Sequence, residues 1–146
     1  SAYLGVLEAS ENASLIAIHD GARPFVSEAV IDRTVNSAKQ NHAAAPAVYA
    51  TDTVRIVNTK GVAVSTPDRD MVALIQTPQV FDADLIRNAL TKAVKNDLRI
   101  TDDCSAVEAM GAKVTVVAGE QTNIKLTSEA DVYIAEKILA DRGTDK

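Results

Sequence analysis

Ser14-Leu15-Ile16-Ala17-Ile18-His19, running into Asp20-Gly21-Ala22-Arg23-Pro24, is the stretch on which the fold turns. A short isoleucine-rich run bounded by polar residues reads as a buried strand, and the Asp-Gly step that ends it reads as a loop. Ser27 then stands where a helix N-cap belongs, and Val30, Ile31, Thr34, Val35 and Ala38 recur at helical spacing as far as Asn41. Ala43–Ala50 gives the next strand, with Pro46 placing its start at an edge or an irregular position. Strand, helix, strand is the unit of an α/β sheet that is largely parallel, whose functional loops lie beyond the carboxyl ends of the strands.

The same texture continues outward. Met71–Gln76 reads as a third core strand, and Thr77–Phe81 as the connection to Asp82, which caps a helix through Asn96 with Leu85, Ile86, Ala89, Leu90 and Ala93 as its apolar stripe. Thr101-Asp102-Asp103 starts another helix that Gly111 stops. Lys113–Ala118 is a strand and Asn123–Leu126 a shorter one, after which Ser128 and Asp131 form a capping box for a last helix to about Ala140. Upstream, Ser1–Ala9 already has a helical pattern with no cap before it, the reading of a chain that starts inside a domain. One segment breaks the alternation: Val54–Val57 and Val62–Val64 flank Asn58-Thr59-Lys60-Gly61, a hairpin in which Gly61 supplies a positive φ.

A length of 146 residues with 47% apolar content suits one domain, and 3% aromatics without tryptophan require an aliphatic, alanine-rich core. A net charge of −5 offers no broad basic field for nucleic acid or a membrane surface. A single cysteine, Cys104, excludes an internal disulfide, and no apolar run reaches the length of a membrane span. The expectation is a soluble, cytoplasmic protein.

Candidate chemistry collects at the strand ends: Asp20 and Arg23 after the first, Thr51-Asp52-Thr53 after the second, Thr77 after the third, and Lys125 before Thr127. Guanidinium, ammonium and hydroxyl groups suit a phosphate-rich ligand. Taken singly, each has two readings. Asp20 is a Mg²⁺ ligand or the acid of an ordinary Asp-Gly turn; Arg23 pairs with phosphate or lies on the surface; Thr77 binds or merely ends a strand. Arg69 serves a ligand or sits solvated between Asp68 and Asp70, and Lys125 in a short apolar strand points either into a polar cleft or out to solvent. His19 receives no role, and Cys104 is structural, with no second metal ligand beside it.

Read in order, His19-Asp20-Gly21-Ala22-Arg23-Pro24-Phe25, Thr51-Asp52-Thr53-Val54-Arg55, Arg69 with Gln76-Thr77-Pro78-Gln79-Val80-Phe81, Thr101–Glu108 and Asn123-Ile124-Lys125-Leu126-Thr127 resemble the 2-C-methyl-D-erythritol 4-phosphate cytidylyltransferases of the non-mevalonate isoprenoid pathway. The resemblance covers essentially the whole chain. It implies a Rossmann-like nucleotidyltransferase fold of three layers, Mg²⁺ dependence, transfer of CMP from CTP with release of pyrophosphate, and a homodimer in which a projecting β-arm crosses to the neighbouring subunit. On this resemblance residues 1–146 are one domain without its first βα unit, and 52–68 are the arm. Asp20 is implied to sit beside the metal and the phosphates. Arg23, Thr53, Thr77 and Thr101 line the methylerythritol phosphate site, Arg69 and Lys125 position the acceptor phosphate, and Ser1 contacts the cytosine end of the nucleotide.

Arg55 departs from the lysine usual in the arm, keeping the charge. The family's opening strand and glycine-rich loop, with the arginine and lysine that hold the triphosphate, have no counterpart in residues 1–146. The expectation is therefore a polypeptide inactive by itself. Two other functions compete. A ribitol 5-phosphate cytidylyltransferase shares much of this wording, although Thr101–Ala106 with Glu108 is the more typical form in the methylerythritol enzymes. A non-catalytic dimerising fragment is the other. A nicotinamide dehydrogenase is disfavoured because no G-x-G-x-x-G follows a strand.

Overall fold

The computed structural model describes residues 2–144. In chain order the elements are α1 (Ala2–Glu8), β1 (Leu15–Ile18), α2 (Glu28–Asn41), β2 (Ala43–Tyr49), β3 (Ile56–Val57), β4 (Ala63–Ser65), a 3₁₀ turn (Arg69–Met71), β5 (Ala73–Ile75), β6 (Gln79–Asp82), α3 (Ala83–Lys95), α4 (Asp103–Glu108), β7 (Thr115–Ala118) and α5 (Glu129–Thr144). No helix among them is long and apolar enough to cross a membrane.

The expected helix signals work locally. Ser27 accepts from Val30 N, Asp82 from Asp84 N and Leu85 N, and Asp102 forms a capping box with Ser105. Asp131 does the same work from within α5, taking the Thr127 and Ser128 backbone donors. Gly111 ends α4's overhang at φ +82.

Side-chain alternation along the strands builds three layers. On one face Ala43, Ala45, Phe81, Ile16 and Ile18 pack with α1, α3 and α4; on the other, Ala44, Val80 and Leu15 pack with Val35 and Ala38 of α2. The alanines of β2 are at most 3% exposed, and their small side chains let helices lie close on both faces. A third cluster seats Ala135 and Ile138 of α5 on Phe25, Ile124 and Leu126, just beyond the end of β1.

The sheet is not the largely parallel one expected. Only β2 and β7 pair in parallel among the described strands; β1 with β6, β2 with β6 and β2 with β5 are antiparallel. The crossover β1-α2-β2 still yields two strands pointing the same way, but β6 lies between them. Gln79–Asp82, most of it inside the segment read as a connection, supplies that strand. It was disguised because its residues are buried on both faces, which erases the period-2 signal.

Pro46 also sits differently. It lies in the central strand, flanked by Val117 on one side and Gln76 on the other. Its carbonyl accepts from Gln76 N, so its nitrogen faces the same side, where the neighbouring chain breaks between β5 and β6. A missing donor costs nothing at a gap. Thr77-Pro78, inside that gap, is a cis peptide. Asn123–Leu126 forms no strand; Leu126 N reaches Ala22 O, and the segment is otherwise a loop.

The hairpin does stand off the main sheet as a separate two-stranded ribbon. Gly61 has φ +78, and Asn58 Oδ1 accepts from Lys60 N and Val62 N to close the turn.

Candidate functional site

Three strand ends and a helix start converge on one cleft of about 620 Å³. The turn after β1 brings Asp20, Gly21 and Arg23; the break between β5 and β6 brings Thr77 and Gln79; the start of α4 brings Thr101, Asp102 and Asp103; and the loop after β7 brings Lys125. Ile75 and Ile100 add apolar wall.

Asp20 is the hub of the charged side. Its Oδ2 lies 3.0 Å from Lys125 Nζ and 3.3 Å from Arg23 Nε. Burial works against the carboxylate, but Lys125 and then Arg23 outweigh it, so the carboxyl is held below its ordinary value. Arg23, 13% exposed in its side chain, also donates Nη1 to Asn123 O at 2.7 Å, which makes it a brace between the β1 turn and the Lys125 loop. Thr77 Oγ1 accepts from Asp20 N at 3.0 Å and meets His19 Nδ1 at 2.8 Å. His19, given no role from sequence, therefore orients a cleft hydroxyl.

The opposite wall is acidic. Burial first, then the charges of Asp102 and Asp20, push the Asp103 carboxyl above its ordinary value. A raised folded-state value means that ionised Asp103 costs stability, fully so above the folded value and not at all below the unfolded one near about 3.9. Asp103→Asn is therefore expected to raise the urea midpoint at neutral pH, with the gain shrinking as pH falls through the folded value and gone below about 4. Unfolding curves at several pH values check this.

Gln79, buried, donates Nε2 to Asp102 Oδ2 (2.8 Å) and accepts from Cys104 N (3.0 Å), pinning the start of α4 to β6. Cys104 is buried and its thiol is pushed far up, chiefly by burial, which fits the structural reading. Gln76 and Asn123, quoted within the motifs but given no task, are the other buried amides beside the cleft. A polar residue inside a strand or a tight loop gave the only hint of them.

Not every predicted residue arrives. Thr53 and Arg69 are exposed at the base of the hairpin, outside the cleft, and Arg69 Nη1 donates to Thr51 O at 3.2 Å. Ser1 lies outside the described residues. Among the described residues no three His, Cys, Asp or Glu side chains stand together as a metal site. A Mg²⁺ ion here would rest on Asp20 and on phosphate oxygens, a donor set this ion commonly takes in phosphate-transfer sites.

Three layers with a cation- and hydroxyl-lined cleft beyond the ends of the strands make this a Rossmann-like nucleotidyltransferase fold. Residues 1–141 match the family model for 2-C-methyl-D-erythritol 4-phosphate cytidylyltransferase, and the chain belongs to that family. It is similar to the proteins of that name from Desulforamulus reducens, 41% identical over 142 residues (97% of this chain, 61% of that one), and Clostridioides difficile, 42% identical over 139 residues (95% and 58%). Among solved structures, 4-diphosphocytidyl-2C-methyl-D-erythritol synthase from Anaerococcus prevotii superimposes with a TM-score of 0.90 at 37% identity, covering 96% of this chain and 63% of that one. The 2-C-methyl-D-erythritol 4-phosphate cytidylyltransferase of Thermus thermophilus gives 0.84 at 33% identity, covering 94% and 66%. The chain thus spans about three fifths of the relatives it matches.

Proposed function

We propose that the protein carrying this chain transfers CMP from CTP to 2-C-methyl-D-erythritol 4-phosphate, releasing pyrophosphate, in the cytoplasm and as a homodimer joined through its hairpin. Family membership and the Asp20-Arg23-Lys125 cluster in a cleft shared with Thr77 and Thr101 support this reading. The carrying observation is Lys125, an ammonium delivered to the cleft by a loop and held there by Asp20.

The reaction is an in-line displacement. An oxygen of the acceptor phosphate forms a bond to the α-phosphorus of CTP while the bond to the bridging oxygen of the β-phosphate breaks, and pyrophosphate leaves with that electron pair. The nucleophile is already anionic, so no strong general base is needed, and catalysis reduces to holding two polyanions together. That accounts for the Lys, Arg and Thr side chains of the cleft, in which His19 bonds to Thr77 and the Arg23 carbonyl rather than to a carboxylate. Lys125 takes the acceptor phosphate, Thr77 and Thr101 its hydroxyls, and Arg69 and Thr53 reach a cleft from the partner's hairpin base. Asp20 is the residue that would hold Mg²⁺, whose contribution is to offset negative charge on the phosphates.

The test is pyrophosphate release by the full-length protein with CTP and Mg²⁺, methylerythritol phosphate and ribitol 5-phosphate being compared side by side. Turnover with the first at a much higher kcat/KM is expected. Preference for ribitol phosphate would move the assignment to the other polyol, and no turnover with either would leave a phosphate-binding dimerisation module.

A further inference from the structure

The loop from Gly119 to Thr127 brings Lys125 to the cleft without a strand of its own to fix its path. Two buried amides fix it instead. Gln76, 5% exposed, sits at the break between β5 and β6. Its Oε1 accepts from Glu120 N at 3.2 Å and from Asn123 Nδ2 at 3.3 Å, and its Nε2 donates to Glu120 O at 2.8 Å. The carboxamide thus pairs with both backbone groups of Glu120, as a neighbouring strand would. Asn123, fully buried, donates the same Nδ2 to Thr77 O at 2.9 Å, while its backbone carbonyl receives Arg23. Gly119 leaves room for this: a β-carbon there would stand 2.3 Å from Gln76 Oε1 and 3.0 Å from Ala47 O.

One observation sets this network apart from ordinary support. Asn123 Oδ1 is buried with no hydrogen-bond partner. Turning the amide over would place that oxygen against Gln76 Oε1 and Thr77 O, both acceptors, so the side chain is fixed with one unpaired oxygen. A buried acceptor left without a protein partner costs stability. What the orientation secures is the link from Gln76 to Thr77, whose hydroxyl in turn holds the Asp20 backbone opposite Lys125.

We propose that Gln76 and Asn123 are positioning residues that hold Lys125 and Thr77 at a fixed separation around Asp20 in the cleft. Anion binding then depends on this buried relay rather than on the lysine stem alone, because a displacement of about 1 Å at a bound phosphate is enough to cost much of the rate. The inference rests on the transferase reading for its substrate but not for its phosphate.

The experiment uses the full-length protein with Gln76→Met, which keeps the volume and deletes the amide, and with Asn123→Ala. Inorganic phosphate affinity by calorimetry, acceptor and CTP KM, thermal midpoint and hydrogen exchange over residues 119–127 are measured on each. The expected result is at least about tenfold weaker phosphate binding and a matching rise in acceptor KM, with CTP KM within about twofold and faster exchange in that loop. Gln76→Glu adds a pH readout: a protonated carboxyl restores the donor to Glu120 O, so its phosphate affinity relative to wild type should recover as pH falls. Wild-type phosphate affinity alongside faster loop exchange would overturn the proposal. So would a uniform loss of phosphate affinity, CTP affinity and melting temperature, which would mark the amides as general scaffold. If the wild type binds phosphate but turns over no polyol, the transferase reading fails and the phosphate comparison alone decides this one.

Discussion

In the full-length protein, Lys125→Ala is expected to lower kcat/KM for the polyol phosphate by about 10- to 150-fold while CTP binding changes little. A hydrogen bond to a charged group is worth about 1.5–3 kcal/mol, and each 1.4 kcal/mol is a factor of ten. The ammonium is about half exposed, so solvent screening moves the expectation toward the lower end of that range. The substitution also removes the largest favourable partner of Asp20, leaving Arg23 as the cation beside it. Steady-state kinetics with each substrate varied in turn check this. Equal losses for both substrates would show that Lys125 supports the whole cleft, and an unchanged kcat/KM for the acceptor would remove it from the site.

Much of this arrangement can be read from residue order, and what escapes has physical causes. Helix caps are local, so Ser27, Asp82 and Asp102 announce themselves within three or four residues of the groups they bind. Sheet order is non-local. Nothing in Gln79-Val80-Phe81-Asp82 says that it inserts antiparallel between β1 and β2, since a strand buried on both faces loses its alternation. Pro46 misleads for a related reason: the penalty for its missing donor depends on whether the adjacent strand is continuous there, and it is not. Among site residues, Asp20, Thr77 and Lys125 are visible because chemistry gathers beyond strand ends. Gln76 and Asn123 stay hidden because their partners are the backbone atoms of residues 44 and 46 positions away.

Removal of the hairpin, with Thr53 joined to Thr66 through a short glycine linker, is expected to give a monomer that retains the main fold and has lost more than about a hundredfold in turnover. The ribbon contributes nothing to the three-layer core: β3 and β4 pair only with each other, and Ile56, Val57, Val62 and Val64 are each at least half exposed. A two-stranded hairpin with so much apolar surface in water is marginal alone, so a second copy of the chain is the proposed cover. Light scattering decides the oligomeric state, and a dimer surviving the deletion would end the arm reading. On that reading Arg69 and Thr53 at the ribbon's base would act in the partner's cleft, which a mixing experiment isolates from simple dimer loss. Arg69→Ala and Lys125→Ala proteins, each reduced to about a tenth of wild-type activity or less, should rise to about a quarter of it when their subunits exchange freely. Half of the dimers are then mixed, and in each of these one of the two clefts combines an intact Lys125 with an intact Arg69. No recovery, with exchange confirmed by mass, would place both residues in the same subunit's site.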